Sequence, residues 1–448
     1  MKRKIITILL TLVFLVSLPL VAVAEPAHKD IVRGISGDSA KGFITDLTQW
    51  KRIAGSPDEK AAAAYIKEKM QGYGYETEIQ EFPIVFFEDI GCSLGVVEPA
   101  VAQELHPNIM TYSPSGSVTA ELVYVGLGGP ADYEGKDVTG KIALIQRGTY
   151  YFKDKVIWAA EKGAKGAVIF NNQPGNFFGT LQEPAPIPAV SLSQEEGQYL
   201  LSLMESATVK AALWVETIME QRTSQNVVAT KKASRGKGTG KTVIMGGHLD
   251  CVSAGYGAND NASGSAVTME VARVLKDYSL ASDVKFVFFG AEETGLDGSY
   301  YYVSNMSEDD MANTTGMINL DMVGVGDKLY AGDMAEGDGW LVNLSKLYGS
   351  ELGQEVSSFD AGSNSDHAYF EEVGIPVSFI NWDPDPYYHT AADSLDKIIP
   401  YNLEKVGQIT AAQIYDLSKT PLPHSTKGIA GKVNKYISVF KGKVRDTK

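Results

Sequence analysis

Residues 242–264 read TVIMGGHLDCVSAGYGANDNASG. Thr242 to Met245 is a short apolar run that closes on Gly246-Gly247, followed by His248 and Asp250. Then comes Gly257-Ala-Asn-Asp260-Asn-Ala-Ser-Gly264, after which Val267, Val271, Val274, Leu275 and Tyr278 recur at helical spacing. This pattern predicts a strand, a glycine-rich turn bearing His and Asp, and a helix over 261–278. The pattern repeats downstream. Val284–Phe289 ends in Gly290-Ala291-Glu292-Glu293, Met317–Leu320 ends in Asp321, and Pro376–Ile380 is followed by Tyr387-Tyr388-His389. Helical stretches at 340–352, 366–373 and 401–418 alternate with these runs. Runs that are apolar on both faces are strands covered on both sides. Alternating β and α segments predict an α/β fold with a mostly parallel, doubly wound sheet flanked by helices.

Each residue able to bind a metal thus falls at or just beyond the carboxyl end of an expected strand, the edge where open α/β sheets bind ligands. Imidazole and carboxylate donors without thiolates suit zinc, with manganese or cobalt as substitutes. His248, Asp260, Glu293, Asp321 and His389 are too many for one catalytic zinc that keeps an open position. Two zinc ions bridged by one carboxylate fit better, and with three carboxylates and a hydroxide their charge is neutralised. Glu292 and Glu293 are adjacent, so their side chains diverge, leaving Glu292 free as a general base toward metal-bound water. Asp250 lies two residues from His248, on the same side of an extended chain, where it can orient the imidazole. Taken singly, Asp260 reads equally as a helix N-cap, and a Glu-Glu pair as surface. Their convergence on one sheet edge is what points to a site.

Upstream, residues 25–40 read as a polar leader. Phe43 to Tyr75 reads as two helices around Arg52-Ile-Ala-Gly-Ser-Pro57, with Pro57, Asp58 and Glu59 as a helix start. Thr77 to Phe87 alternates like a strand. Between about 100 and 215 the rhythm changes, with strands at 120–125, 141–146 and 167–170 and helices at 152–163 and 194–205. This is a compact α/β unit with its own core.

The whole chain has 448 residues, 44% hydrophobic and 21% charged, with two Cys and a net charge of −15. That excludes a fibrous chain and a disulfide scaffold. Lys2, Arg3 and Lys4, the apolar run Ile5–Val21 and Ala22-Val-Ala24 read as a secretory signal peptide, the alternative being a membrane anchor at the short limit of a span. Removing residues 1–24 takes away three positive charges and no negative ones, so the net charge goes from −15 to −18. Such acidity argues against nucleic acid as a partner. Only the tail is basic, with Lys427, Lys432, Lys435, Lys441, Lys443, Arg445 and Lys448 against one acid, Asp446. It reads as a solvated terminus or as a weak contact to a cell wall or membrane surface. The expected division is therefore a signal peptide at 1–24, the first part of the main domain at 25–100, an insert at 101–215, the main domain again at 216–420 and a tail at 421–448.

The motifs Gly-Gly-His248-Leu-Asp250, Gly-Ala-Asn-Asp260-Asn-Ala-Ser-Gly, Ala-Glu292-Glu293-Thr-Gly, Asn-Leu-Asp321-Met-Val-Gly and Tyr388-His389-Thr, in this order and spacing, resemble those of the secreted bacterial di-zinc aminopeptidases. These are relatives of glutamate carboxypeptidase and glutaminyl cyclase. The likeness spans residues 40–418, and Ser365-Asp366-His367 fits it near the substrate pocket. It implies one zinc on His248 and Asp321, another on Glu293 and His389, Asp260 between them, Glu292 as base, Asp250 supporting His248, and Tyr388 on the developing oxyanion. Cys251 departs from the family pattern, where a Ser is expected. The segments Gly140–Gly148, Phe152, Lys155, Gly163–Asn171 and Ile187–Ser191 resemble a protease-associated domain, an insert that shapes substrate access. The resemblance implies a secreted enzyme that removes N-terminal residues from peptides with a free amine.

Other readings compete. Gly91-Cys-Ser93-Leu-Gly95 matches the G-x-S-x-G nucleophile elbow of serine hydrolases, which requires a helix directly after it. A zinc carboxypeptidase of the same fold needs an Arg for the substrate carboxylate, and Arg147 and Arg222 are the candidates. Cys92 and Cys251 read equally as a disulfide pair or as free thiols.

Overall fold

The computed structural model describes residues 28–418, apart from 237, 336 and 338. The expected signal peptide and basic tail lie outside the described residues.

Helices α1 (Lys29–Gly34) and α2 (Gly37–Leu47) come first. The polar leader expected at 25–40 is corrected here. Ile31, Val32, Ile35 and Ala40 are buried, because these two short helices lay their few apolar residues against the main core. Helix α3 (Pro57–Gly72) starts where Ser56 Oγ accepts the Glu59 N–H at 3.1 Å. Strand β1 (Glu76–Glu98) runs well past the expected end at Phe87 because an antiparallel partner stays opposite it throughout.

The insert follows as β2 (Asn108–Ile109), β3 (Gly116–Tyr124), β4 (Ile142–Gln146), α4 (Phe152–Glu161), β5 (Gly166–Phe170), β6 (Ala189–Leu192) and α5 (Gln194–Ser206). Strands β3, β4, β5 and β6 are parallel neighbours. Alternate residues of β4 enter different clusters, Ala143 and Ile145 with α4, Ile142 and Leu144 with α5. Strand β7 (Lys210–Lys231) then returns to the main body, and the expected boundary at 215/216 lies within it. Its first residues pair with β3, its last with β9 (Asp283–Phe289), and β1 runs along its other edge.

The main domain completes as β8 (Thr242–His248), α6 (Ala262–Leu275), β9, α7 (Asp297–Ser304), α8 (Glu308–Asn313), β10 (Thr314–Leu320), β11 (Lys328–Asp333), α9 (Trp340–Glu351), β12 (Val356–Asp360), α10 (His367–Glu372), β13 (Val377–Asp383) and α11 (Pro400–Leu417). The strand order is β12-β11-β13-β10-β8-β9-β7. The four central strands, β13, β10, β8 and β9, are mutually parallel, and antiparallel β11 and β7 flank them. Helices cover both faces as expected. Phe286, Phe288, Val243, Met245, Ile318 and Leu320 pack toward α2, α6 and α11, while Val287, Phe289, Ile244 and Met317 pack toward α7 and α10. No helix among the described residues is long and apolar enough to cross a membrane.

Candidate metal centre

The parallel strands deliver their carboxyl ends to one place because close contacts there tolerate no side chain. A Cβ on Gly247 or on Gly264 would stand 2.2 Å from the Leu320 carbonyl oxygen. Their bareness lets the end of β8 and the start of α6 close on the end of β10. Asn261 caps α6 by accepting the Gly264 N–H at 2.8 Å, and its Nδ2 donates to Leu320 O at 2.9 Å. The chain turns through positive φ at Ala291 (54°), Met322 (57°) and His389 (54°), beside or at the candidate ligands. Non-glycine residues rarely adopt that region.

The result is a buried cluster. His248 Nε2 lies 3.2 Å from Asp321 Oδ1 and 3.2 Å from Asp260 Oδ1, with Glu292 Oε2 at 3.9 Å. His389 Nε2 lies 3.3 Å from Asp260 Oδ2 and 3.0 Å from Glu293 Oε2. Asp260 therefore faces one imidazole with each oxygen. The ligand atoms of His248, Asp260 and Asp321 lie within 4.8 Å of one another, as do those of Asp260, Glu293 and His389. Asp250 accepts the N–H groups of Glu292 (3.1 Å) and Glu293 (3.2 Å), and its Oδ1 is 3.5 Å from His248 Nδ1. It anchors the glutamate loop as well as facing the histidine. Tyr388 is half exposed and stacks on the His389 ring at 3.8 Å, beside the cluster.

Six carboxylates (Asp250, Asp260, Glu292, Glu293, Asp321 and Asp366) gather around His248 and His389. Among the described residues no lysine or arginine forms an ion pair with them. The nearby, fully buried Arg52 gives its N–H groups to the carbonyls of Leu47, Trp50, Leu249, Tyr256 and Gly257. Burial, together with Glu293, Asp321 and Asp366, pushes Glu292 well above the usual carboxyl range against the pull of His248. Burial likewise pushes Glu293 and Asp366 up to about 7. Burial opposes charge on His389, but Asp260 and Glu293 outweigh it and raise the ring to about 10. So much crowded negative charge calls for a cation. Glu293 Oε1 and His248 Nδ1 are buried without a hydrogen-bond partner. Nitrogen and oxygen donors without sulfur, arranged in two sets that share Asp260, fit zinc.

Sequence reasoning missed several supporting groups. Asp393 accepts the N–H groups of Asn259 (2.7 Å) and Asp260 (3.0 Å), and Asp385 accepts Asn259 Nδ2 at 2.8 Å. Ser365 Oγ donates to Asp321 Oδ2 at 2.7 Å and is itself held by Asn319 Nδ2 at 2.8 Å. His367 stacks on Phe379 and its Nε2 meets Gly362 O at 3.0 Å, apart from the candidate ligands. Asp393 stands four residues after His389, as Asp250 stands two after His248.

The serine-hydrolase reading is corrected. Ser93 sits in the last third of β1 opposite Trp214, whose strand β7 is paired on its other edge to β3, and no helix follows it. Cys92 and Cys251 are both free thiols.

Peptidase family M28 matches residues 226–414, and the PA domain matches residues 118–200. Aminopeptidase YwaD of Bacillus subtilis (strain 168) is 34% identical over 394 residues, covering 82% of this chain and 81% of that protein. A probable leucine aminopeptidase 2 of Aspergillus oryzae is 36% identical over 446 residues, covering 90% and 87%. Among solved structures, an aminopeptidase from Aneurinibacillus sp. strain AM-1 aligns with a TM-score of 0.79 at 37% identity, covering 88% of this chain and 96% of that one. BSAP, a zinc aminopeptidase from Bacillus subtilis, aligns with a TM-score of 0.67 at 29% identity, covering 86% and 96%.

Proposed function

The chain belongs to peptidase family M28, with an inserted PA domain, and from that premise we propose that it is an exported two-zinc aminopeptidase acting on peptides with a free N-terminus. The observation that carries the metal count is Asp260, which faces His248 with one oxygen and His389 with the other. His248 and Asp321 would hold one zinc, Glu293 and His389 the second, and Asp260 would span both. Bound zinc supplies a Lewis acid that lowers the pKa of water and polarises a carbonyl.

The protein's own part is proton transfer and alignment. Glu292 projects into the cluster, its Oε2 3.9 Å from His248 Nε2. It can take a proton from the attacking water and return it to the leaving amine as the peptide bond breaks. Asp250 fixes the loop that presents it. Tyr388, stacked on His389, would donate to the developing oxyanion. An acidic pocket suits a substrate ammonium and repels a terminal carboxylate. Both candidate arginines for a carboxypeptidase are engaged elsewhere. Arg222 bonds Glu220 and lies over Phe86, and Arg147 lies over Phe177. Export rests on the signal-peptide pattern of residues 1–24.

Glu292→Gln tests the mechanism. It should retain the wild-type zinc content, counted by elemental analysis, while kcat falls by about 10²–10⁴. Undiminished turnover would remove Glu292 from the reaction.

A further inference from the structure

The insert carries an aromatic groove that the chemistry above does not use. Tyr150, Tyr151, Phe152, Lys153, Phe178 and Thr180 line a cavity of about 340 Å³. Tyr151 and Phe178 are 73% and 86% exposed. Large apolar side chains left together in water mark a binding surface. The walls are firmly built. The Tyr150 ring meets Trp158 edge-on at 5.3 Å, Phe152 stacks on Phe177 at 5.2 Å, and the Arg147 guanidinium lies 4.8 Å over Phe177. Lys153, 3.2 Å from Glu183, places an ammonium on the rim.

The groove is joined to the metal centre by a short run of contacts. Thr111 N donates to Gly179 O at 2.8 Å and Leu181 N to Thr111 O at 3.0 Å, so the wall around Thr180 is paired to Thr111. The next residue, Tyr112, donates its hydroxyl to the Thr294 carbonyl at 2.7 Å, one residue beyond Glu293. Thus only Thr111 and Tyr112 stand between the groove wall and the loop bearing Glu292 and Glu293. Two residues and one tyrosine side chain span on the order of 15 Å, which about five residues of extended peptide also cover.

We propose that this groove binds the downstream part of the peptide substrate, taking aromatic or apolar side chains about three to five residues from the N-terminus while the first residue occupies the metal centre. This rests on the aminopeptidase reading. The groove wall is joined through Thr111 and Tyr112 to the loop bearing Glu292 and Glu293, which puts it within reach of such a peptide, and its apolar walls match such side chains. The insert then favours long apolar substrates through KM rather than through the bond-breaking step.

The test compares kcat and KM for leucine 4-nitroanilide, Leu-Gly-Gly-Gly-Gly and Leu-Gly-Gly-Phe-Phe, in the wild type and in the Tyr151→Ser/Phe178→Ser double variant. Both residues are exposed, so folding is not at stake; Phe178→Ser alone serves as a second variant. The wild type should prefer the aromatic pentapeptide over the glycine one by about tenfold in kcat/KM, mostly in KM. The double variant should lose that preference while its kcat and KM on the anilide stay unchanged. A wild type without the preference, a variant that keeps it, or an anilide rate falling in step with the peptides would overturn the proposal. A wild type that cleaves no anilide in the presence of zinc would instead overturn the aminopeptidase reading.

Discussion

At each histidine of the cluster the chain places a carboxylate a few residues on that accepts two consecutive backbone N–H groups. Asp250 takes those of Glu292 and Glu293, and Asp393 takes those of Asn259 and Asp260. Each histidine-bearing segment thereby fastens the loop that presents the opposing carboxylates. Asp393→Ala should weaken zinc binding by about 10–100-fold, read by titrating the zinc-free protein against a competing chelator; wild-type affinity would show that Asp260 holds its place unaided. Asp250 was legible in the sequence because an extended strand puts i and i+2 on one side. Asp393 was not, because the positive φ at His389 sends the chain where no simple periodicity projects it. Glu59 lies beneath Gly290, accepting Ser224 Oγ at 2.6 Å and Gly55 N at 2.8 Å. Burial, reinforced by Asp250, pushes its carboxyl up to about 8, against 4.5 in the unfolded chain. Between those values the folded state keeps a proton that the unfolded state has released. Stability attributable to Glu59 therefore falls as pH rises through that window, by up to about 1.4 kcal/mol per unit. Glu59→Gln should flatten that slope in denaturant titrations between pH 5 and pH 8; identical slopes would contradict the assignment.

The elements most legible in the sequence are those that make the site. The four central strands are apolar on both faces and stop at a ligand-bearing turn, so both their existence and their edge could be read. Strands β11 and β12 escaped notice because they are short and carry polar residues on the exposed side, as in Val356-Ser-Ser-Phe-Asp360. Helix α1 and the first turns of α2, ahead of Phe43, were hidden because their apolar residues are too few to set up a period before the core supplies a partner. The approach of α6 to β10 depends on a missing side chain. Gly264→Ala would bring a Cβ to within 2.2 Å of the Leu320 carbonyl oxygen, and backbone must move to relieve it. The expected outcome is a loss of about 1–3 kcal/mol in stability together with weaker zinc binding, since Asp260 and Asp321 flank the contact. An unchanged melting temperature and zinc affinity would show that the two elements can separate freely.

Across the whole molecule, β7 joins two cores. It leaves the insert paired to β3 and enters the main sheet paired to β9, so the insert is fixed to the sheet that builds the metal centre rather than strung on a linker. The sequence separated the two units by their rhythm, but the length of β7 and its partner β1 depends on long-range pairing that composition does not reveal. A net charge of −18 after removal of residues 1–24 suits the proposed export and the proposed recognition of a substrate ammonium. The most direct test of a zinc aminopeptidase is hydrolysis of leucine 4-nitroanilide, with and without its amine acetylated, before and after chelation and with zinc restored. The expected result is cleavage of the free-amine compound alone, lost on chelation and recovered with two zinc ions per chain. Equal cleavage of the acetylated compound, or activity that survives complete removal of metal, would contradict it.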